Sequence, residues 1–301
     1  MITKPNFVFI RNNDGRDSYT TSSSVWGREI EFAYLQEILE DEVNYLSLDF
    51  KSLSKEKRNL DIICYSSNYR SYEDVKYMIN KFNPKVLMHF SDEWGNKQSY
   101  EQLFKNINLV YRQNRFKTYI NPKNVKIIPV GYHAWDQHYF KEFKKIKDRK
   151  YTWCFIGAMK DKRKRNTNIL KKNFSHFFCK PTDGYNSNNN EIYNDSIFGY
   201  CPPGNNIKHS ESNRQYSCPV NGCIPIIHCS KDTFKEVYGH FDIVPQFPHF
   251  DKIKGIVKYI KYMLNHPKKI LKLQKTLNKW HFDIQKVIKT NILKSCVVNL
   301  K

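Results

Sequence analysis

Residues 195–229, DSIFGYCPPGNNIKHSESNRQYSCPVNGCIPIIHC, are the stretch whose reading decides the fold. Residues 197–201 form a short apolar and aromatic run with a strand profile, stopped by Pro202-Pro203-Gly204. Residues 205–210 carry polar loop chemistry. Ser212 or Asn213 can then cap a short helix bearing Arg214, and Asn221-Gly222 ends it. Residues 223–227 read as a second buried strand. Strand, polar loop, helix, strand places backbone N–H groups and a positive helix end beside the strand ends, where phosphate binds. An arginine just inside such a helix adds a planar, two-pronged phosphate donor.

The alternation extends outward in both directions. Asn6–Arg11 reads as a first strand, and residues 30–39 have helical apolar spacing. Residues 60–65 form a second strand, with Ile62-Ile63-Cys64 buried on both faces. The period turns helical over 72–82 and Pro84 stops it. Residues 85–90 (KVLMHF) form a third strand, delivering Ser91-Asp92-Glu93-Trp94-Gly95 at its C-terminal end. Two short strands follow at 109–112 and 125–130. Residues 140–150 are dense in lysine and show no apolar face, which marks them as a candidate linker or domain boundary. Beyond it come a strand at 153–156, a basic helix opening at 160–165, a strand at 175–179 and a polar loop at 184–191. A last strand is expected at 241–244, and helices with lysine faces from 250 to 300. Strands alternating with helices at this spacing predict an α/β fold with parallel sheets and helices on both faces.

Composition narrows the class. At 301 residues the chain has room for two cores, and 40% hydrophobic content excludes a disordered chain. No apolar run approaches the roughly 20 residues that span a bilayer, and the N-terminus has no apolar signal-peptide core. The eight cysteines include no Cys-x-x-Cys spacing, so a zinc site is not expected and reduced thiols are. A net charge of +21 suits an anionic partner. Lysine, asparagine and isoleucine are all abundant, however, and no nucleic-acid-binding motif accompanies the charge. Nucleic acid is therefore not the expected partner.

The central stretch resembles the signature of exostosin-type glycosyltransferases (glycosyltransferase family 47, GT-B superfamily). Tyr200-Cys201-Pro202-Pro203-Gly204, Ser212-Asn213-Arg214 and Gly222-Cys223-Ile224-Pro225-Ile226 stand in that family's order. Similar runs in the same order are HFSDEWG (89–95), YRQNR (111–115), IIPVGYH (127–133) and WCFIGA (153–158) followed by basic residues. The resemblance covers most of the chain and is weak before Lys85. It departs at Ser217, where the family has an acid three positions after the arginine; Glu211 is an acid close by. It departs again in the membrane anchor usual in that family's eukaryotic members.

The resemblance implies a GT-B layout of two Rossmann-like domains facing across a cleft, with C-terminal helices. Residues 1–145 would form the acceptor-side domain, and residues 146–301 the nucleotide-sugar domain. The donor would be held by Gly157, Arg163, Arg165, Gly204, Ser210, Glu211, Ser212, Asn213 and Arg214, with Ser217 near it. Asp92 or Glu93 would take the acceptor hydroxyl's proton, with His133 a further cleft candidate. The expected activity is transfer from a nucleotide-sugar, UDP-linked, to a glycan or glycoprotein, with inversion. No Asp-x-Asp occurs, so neither a metal nor another cofactor is expected. A cytoplasmic location is expected. The rival readings are a catalytically inactive relative that binds glycan or nucleotide-sugar, suggested by Ser217, and a basic nucleic-acid-associated protein, suggested only by charge.

Overall fold

A computed structural model describes residues 4–11, 35, 38–66, 70–90, 100–112, 122–127, 143–157, 159, 161–179, 189–203, 212–239 and 243–297. Two compact units result: residues 1–130 together with 285–301, and residues 131–284.

The first unit is built on β1 (Asn6–Arg11), β2 (Asn44–Asp49), β3 (Ile62–Ser66), β4 (Val86–Phe90), β5 (Leu109–Arg112) and β6 (Val125–Ile127). They lie in the order β2-β1-β3-β4-β5-β6, and every pairing is parallel. Near-continuous apolar sequence explains this, because a parallel strand is covered on both faces. Phe7 to Ile10 and Val86 to Phe90 are all buried. Among the described residues of this unit three helices follow strands: α1 (Phe50–Lys55), α2 (Tyr72–Phe82) and α3 (Glu101–Phe104). The spacing predicts α2 to the residue, because both of its ends are chemically marked. Ser71 and Asp74 form a reciprocal capping box, and Asn83 closes the helix in a left-handed conformation before Pro84. Val75 and Met78 on its inner face pack with Val8, Ile63, Leu87 and Val110.

The second unit contains β7 (Tyr151–Ile156), β8 (His176–Cys179), β9 (Ser196–Cys201) and β10 (Ile224–Ile227), all parallel, in the order β10-β9-β7-β8. Its helices are α4 (Asp161–Lys171), α5 (Asn189–Asn194), α6 (Ser212–Val220), α7 (Lys231–Tyr238), α8 (Ile253–Leu264) and α9 (Pro267–Val297). The chain leaves β7 towards β8 on one side and returns to β9 on the other. Such a reversal opens a crevice at the carboxyl ends of β7 and β9.

Several expectations differ from the structure. β2 and α7 are not anticipated: the run NYLSLD mixes polar with apolar residues, and α7 is one short amphipathic turn pair. α5 starts inside the stretch read as a loop. Residues 243 and 244 form no strand, since Trp280 Nε1 donates to the Ile243 carbonyl at 3.0 Å and Pro245 has no N–H for a ladder. A lone bridge between Ile227 and His249 stands nearby instead. The described part of the lysine-rich segment read as a linker is anchored. Arg149 is buried and donates from Nη1 to the Ser196 carbonyl at 2.5 Å, while Lys144 and Lys150 both pair with Asp195. The last turns of α9 belong with the first unit rather than the second. There Lys85 Nζ donates to the Cys296 carbonyl at 3.0 Å and Lys289 pairs with Glu42 at 3.2 Å.

Among the described residues each unit buries one histidine in its neutral form. His89 on β4 lies at 2.7 Å from the Tyr65 hydroxyl among Tyr100 and Phe104. Burial, assisted by the Arg112 charge, pushes its pKa well below the usual value. Burial alone lowers that of His281 on α9 to about 3. An unfolded chain protonates both near pH 6.5 while the folded one does not, so stability is full above that pH and falls as acid is added. For His281 the loss runs from about pH 6.5 down to about pH 3, at up to roughly 1.4 kcal/mol per pH unit. Urea denaturation as a function of pH measures this slope. His281→Leu should flatten it by about one proton, whatever its effect on absolute stability.

Candidate functional site

The candidate site lies where β7, β9 and β10 of the second unit end. β7 closes on Gly157, whose φ of +148° lies in a region that side-chain-bearing residues rarely adopt. A Cβ at this position would sit 2.1 Å from Nη2 of Arg214. Arg214 enters from the first turn of α6 and is 4% exposed. Its Nε donates to the Ile156 carbonyl at 2.6 Å, and its guanidinium carbon lies 5.1 Å from the centroid of the Phe155 ring. The cation is thus held by a strand-end carbonyl and an aromatic face, in space that only glycine leaves open.

α6 is seated on the sheet through one further glycine. A Cβ on Gly199, in the middle of β9, would lie 2.3 Å from the Cys218 sulfur. Gly199 is registered with Cys154 on β7 and Pro225 on β10. The Cys154, Cys218 and Cys223 thiols therefore gather over a bare stretch of backbone. Burial pushes the Cys154 and Cys218 thiols up, whereas Cys223 is drawn down to about 5: burial opposes this, but hydrogen bonds from Cys154 and Cys218 and the Arg149 charge outweigh it. At the far end of α6, Gly222 (φ +67°) faces the Phe143 ring, 2.5 Å from where a Cβ would stand.

Arg163 on α4 is also buried. Its Nε and Nη2 donate to the Pro203 carbonyl at 3.2 and 3.1 Å, fixing the chain just past β9. Arg165, two residues on, is exposed, because residues two apart on a helix point to different faces. The two arginines read from sequence as one basic cluster are separated in this way. Tyr200, near the end of β9, connects the rest. Its ring lies 6.1 Å from Phe155, and its hydroxyl is 2.7 Å from Nδ1 of His228 at the end of β10. The Asp251 carbonyl, 3.1 Å from His228 Nε2, can only accept. In the neutral ring Nε2 therefore carries the hydrogen, and Tyr200 donates to Nδ1. Burial raises the Tyr200 pKa, against a hydrogen bond with Asn166 and the Arg163 charge. Tyr200, Asn166 and His228 are absent from the set read from sequence, although Tyr200 and His228 both stand at strand ends, a usable signal.

The other expected residues divide into two groups. Ser217, in place of the family's acid, is 1% exposed, and its carbonyl accepts from Asn221 Nδ2 at 2.8 Å. Ser212 and Asn213 open α6, and their side chains lie outside the described residues. Asp92, Glu93, His133, Gly204, Ser210 and Glu211 lie outside the described residues altogether. Among the described residues seven cysteines are free thiols, all buried. Among the described residues no group of three or more His, Cys, Asp or Glu side chains is placed to hold a metal ion, and no helix is long and apolar enough to cross a membrane.

Two α/β units built on parallel sheets define the fold class of the GT-B glycosyltransferases. A glycosyltransferase from Rickettsia africae ESF-5 superposes with a TM-score of 0.54 at 10% identity, over 98% of this chain and 99% of that one. A DNA-modifying β-glucosyltransferase does so with a TM-score of 0.50 at 10% identity, over 97% and 96%. At such identities the likeness is one of fold. No family model matches the chain, and no curated protein matches it in sequence.

The Gly157–Arg214 fit gives a direct prediction. Gly157→Ala meets both a disfavoured φ and the guanidinium, and should cost about 2–4 kcal/mol in urea unfolding. In an Arg214→Ala background only the backbone part remains, and the same change should cost about 1–2 kcal/mol. Equal costs in the two backgrounds would mean that the arginine does not occupy this space.

Proposed function

We propose that the chain is a glycosyltransferase that moves a sugar from a nucleotide-activated donor to an acceptor hydroxyl. The observation that carries this reading is Arg214, a buried cation held at the carboxyl end of β7, at the β7/β9 reversal, on the first turn of α6. A nucleoside diphosphate leaving group gathers negative charge as its bond to the anomeric carbon breaks. A pre-placed guanidinium and the N-terminal dipole of α6 would stabilise that charge without reorganising. A similar fold among glycosyltransferases supports the reading.

Within this class we assign the chain to the exostosin type, on the Gly222-Cys223-Ile224-Pro225 segment and its distance from Arg214. The reaction proposed inverts the anomeric centre and needs no metal. The acceptor oxygen bonds to the anomeric carbon, the bond to the diphosphate breaks, and the hydroxyl proton passes to Asp92 or Glu93. The donor is a UDP-sugar and the acceptor a glycan or glycoprotein. Arg163 and Gly204 act in the donor loop, the former through its hold on the Pro203 carbonyl. Residues 1–145 serve the acceptor and residues 146–301 the donor.

Buried Ser217 favours a second reading, an inactive relative that still binds the nucleotide-sugar, since no carboxylate stands three positions after Arg214. Titration with UDP-, GDP- and CMP-sugars, followed by product assays, separates the two. Glycan and duplex DNA acceptors belong in those assays, because one protein of similar fold is a DNA-modifying enzyme. UDP-sugar should bind. Arg214→Ala should weaken it by about ten- to a hundredfold, the worth of one charge-assisted contact. One of Asp92→Asn and Glu93→Gln should lower turnover by roughly a hundred- to ten-thousandfold with donor affinity nearly unchanged. Donor binding with neither transfer nor hydrolysis selects the inactive relative. Unchanged nucleotide affinity in Arg214→Ala refutes both.

A further inference from the structure

The acidic residues of this chain are unevenly spread. All 29 of them lie outside residues 252–282, a stretch that carries nine lysines and no arginine. All nine lysines are exposed. A longer acid-free run, residues 102–135, carries only four lysines and two arginines, so it is the density of lysine without acid that marks 252–282. These residues form α8, the turn at Asn265-His266 and the first half of α9. Both helices bury their apolar rows, through Ile256, Ile260 and Met263 on α8 and Ile270, Leu277 and Trp280 on α9.

Their outer faces are not purely cationic. Lys254, Lys258, Lys261 and Tyr262 follow one stripe of α8, at helical spacing. Lys268, Leu271, Lys272 and Lys275 follow one stripe of α9. Tyr262 is 46% exposed, Leu264 37% and Leu271 46%. Three of the seven large exposed apolar residues among those described thus fall within ten residues of sequence, at this one corner. The two stripes are continuous there: the Lys269 ammonium bonds to the Tyr262 hydroxyl and lies 4.7 Å from its ring centroid.

We propose that the α8–α9 corner is a docking surface for an anionic membrane, lying on the lipid surface rather than spanning it. Leucine and tyrosine side chains presented between lysines match the two layers of such a surface. The apolar groups enter the headgroup–acyl boundary, and the long lysine stems keep their ammonium groups among the lipid phosphates. Each lysine near an anionic leaflet strengthens attachment by roughly fivefold. A nucleic-acid duplex offers the same phosphate charge but nothing for Leu264 or Leu271. The stretch also lacks arginine, the residue that reads guanine edges by paired hydrogen bonds. The proposal is independent of the sugar-transfer reading, since it uses none of the residues at the strand ends.

Co-sedimentation of the full chain with vesicles tests it. Vesicles of phosphatidylcholine with phosphatidylserine should carry the protein down, and vesicles of phosphatidylcholine alone should not. The triple change Lys268→Glu, Lys272→Glu, Lys275→Glu should lower the partition coefficient by about a hundredfold or more. Leu264→Gln with Leu271→Gln should lower it by roughly tenfold or more, with the charge unchanged. Folding of each variant is checked by its urea transition. Equal partition to charged and neutral vesicles overturns the proposal, as does an undiminished partition in the leucine variant, which would make the attraction purely electrostatic. Tighter binding to a duplex DNA oligonucleotide than to anionic vesicles, lost in the lysine variant, would assign the corner to nucleic acid and overturn it too.

Discussion

The seat of α6 on its sheet is the constraint from which the second unit follows. A helix lies close to a strand only where the strand offers little side chain, and here two glycines provide the clearance. Gly157 admits the Arg214 guanidinium and Gly199 admits the Cys218 sulfur. Moving α6 outward by the width of a methyl group would withdraw Arg214 from the Ile156 carbonyl and the Phe155 face together. A packing requirement and the placement of a functional cation are thus one geometric condition. Interiors are dense enough that neither can be relaxed alone.

The same clearance explains the thiol cluster. Cys154 and Cys223 come from opposite sides of β9, and they approach one another because Gly199 between them has no side chain. The buried guanidinium of Arg149 then lies among sulfurs and backbone carbonyls, donating to those of Lys144 and Ser196. Lysine-rich sequence around it made this segment look like a solvated connector. One long cationic side chain turned inward anchors it instead.

Topology gives the cation its chemical meaning. In an order of β10-β9-β7-β8 the chain reverses direction across the sheet at β7 and β9, the place where open α/β sheets bind ligands. Arg214, Arg163, Tyr200 and His228 all stand at that level. Tyr200 reaches Phe155 by its ring and His228 by its hydroxyl, a connection no linear spacing could express. At the opposite extreme, the α8–α9 corner draws its character from what sequence omits: its charge is of one sign over α8 and the first half of α9.

By itself the sequence determined the α/β class, nine of the ten strands among the described residues to within a few residues, and the position of Arg214 at the start of a helix between two buried strands. These are local properties. Apolar runs, a capping box at Ser71 and Asp74, and glycine or proline stops act within a few residues of chain. It did not show β2, whose pattern is half polar. It showed a strand over 241–244, of which the described residues 243 and 244 form none, because Trp280 competes for the Ile243 carbonyl from far along the chain. Nor did it separate Arg163 from Arg165, or reveal that Gly157 makes room for an arginine within its own fold. Those outcomes depend on which atoms meet across elements distant in sequence, and only the tertiary structure brings them to within a few ångströms.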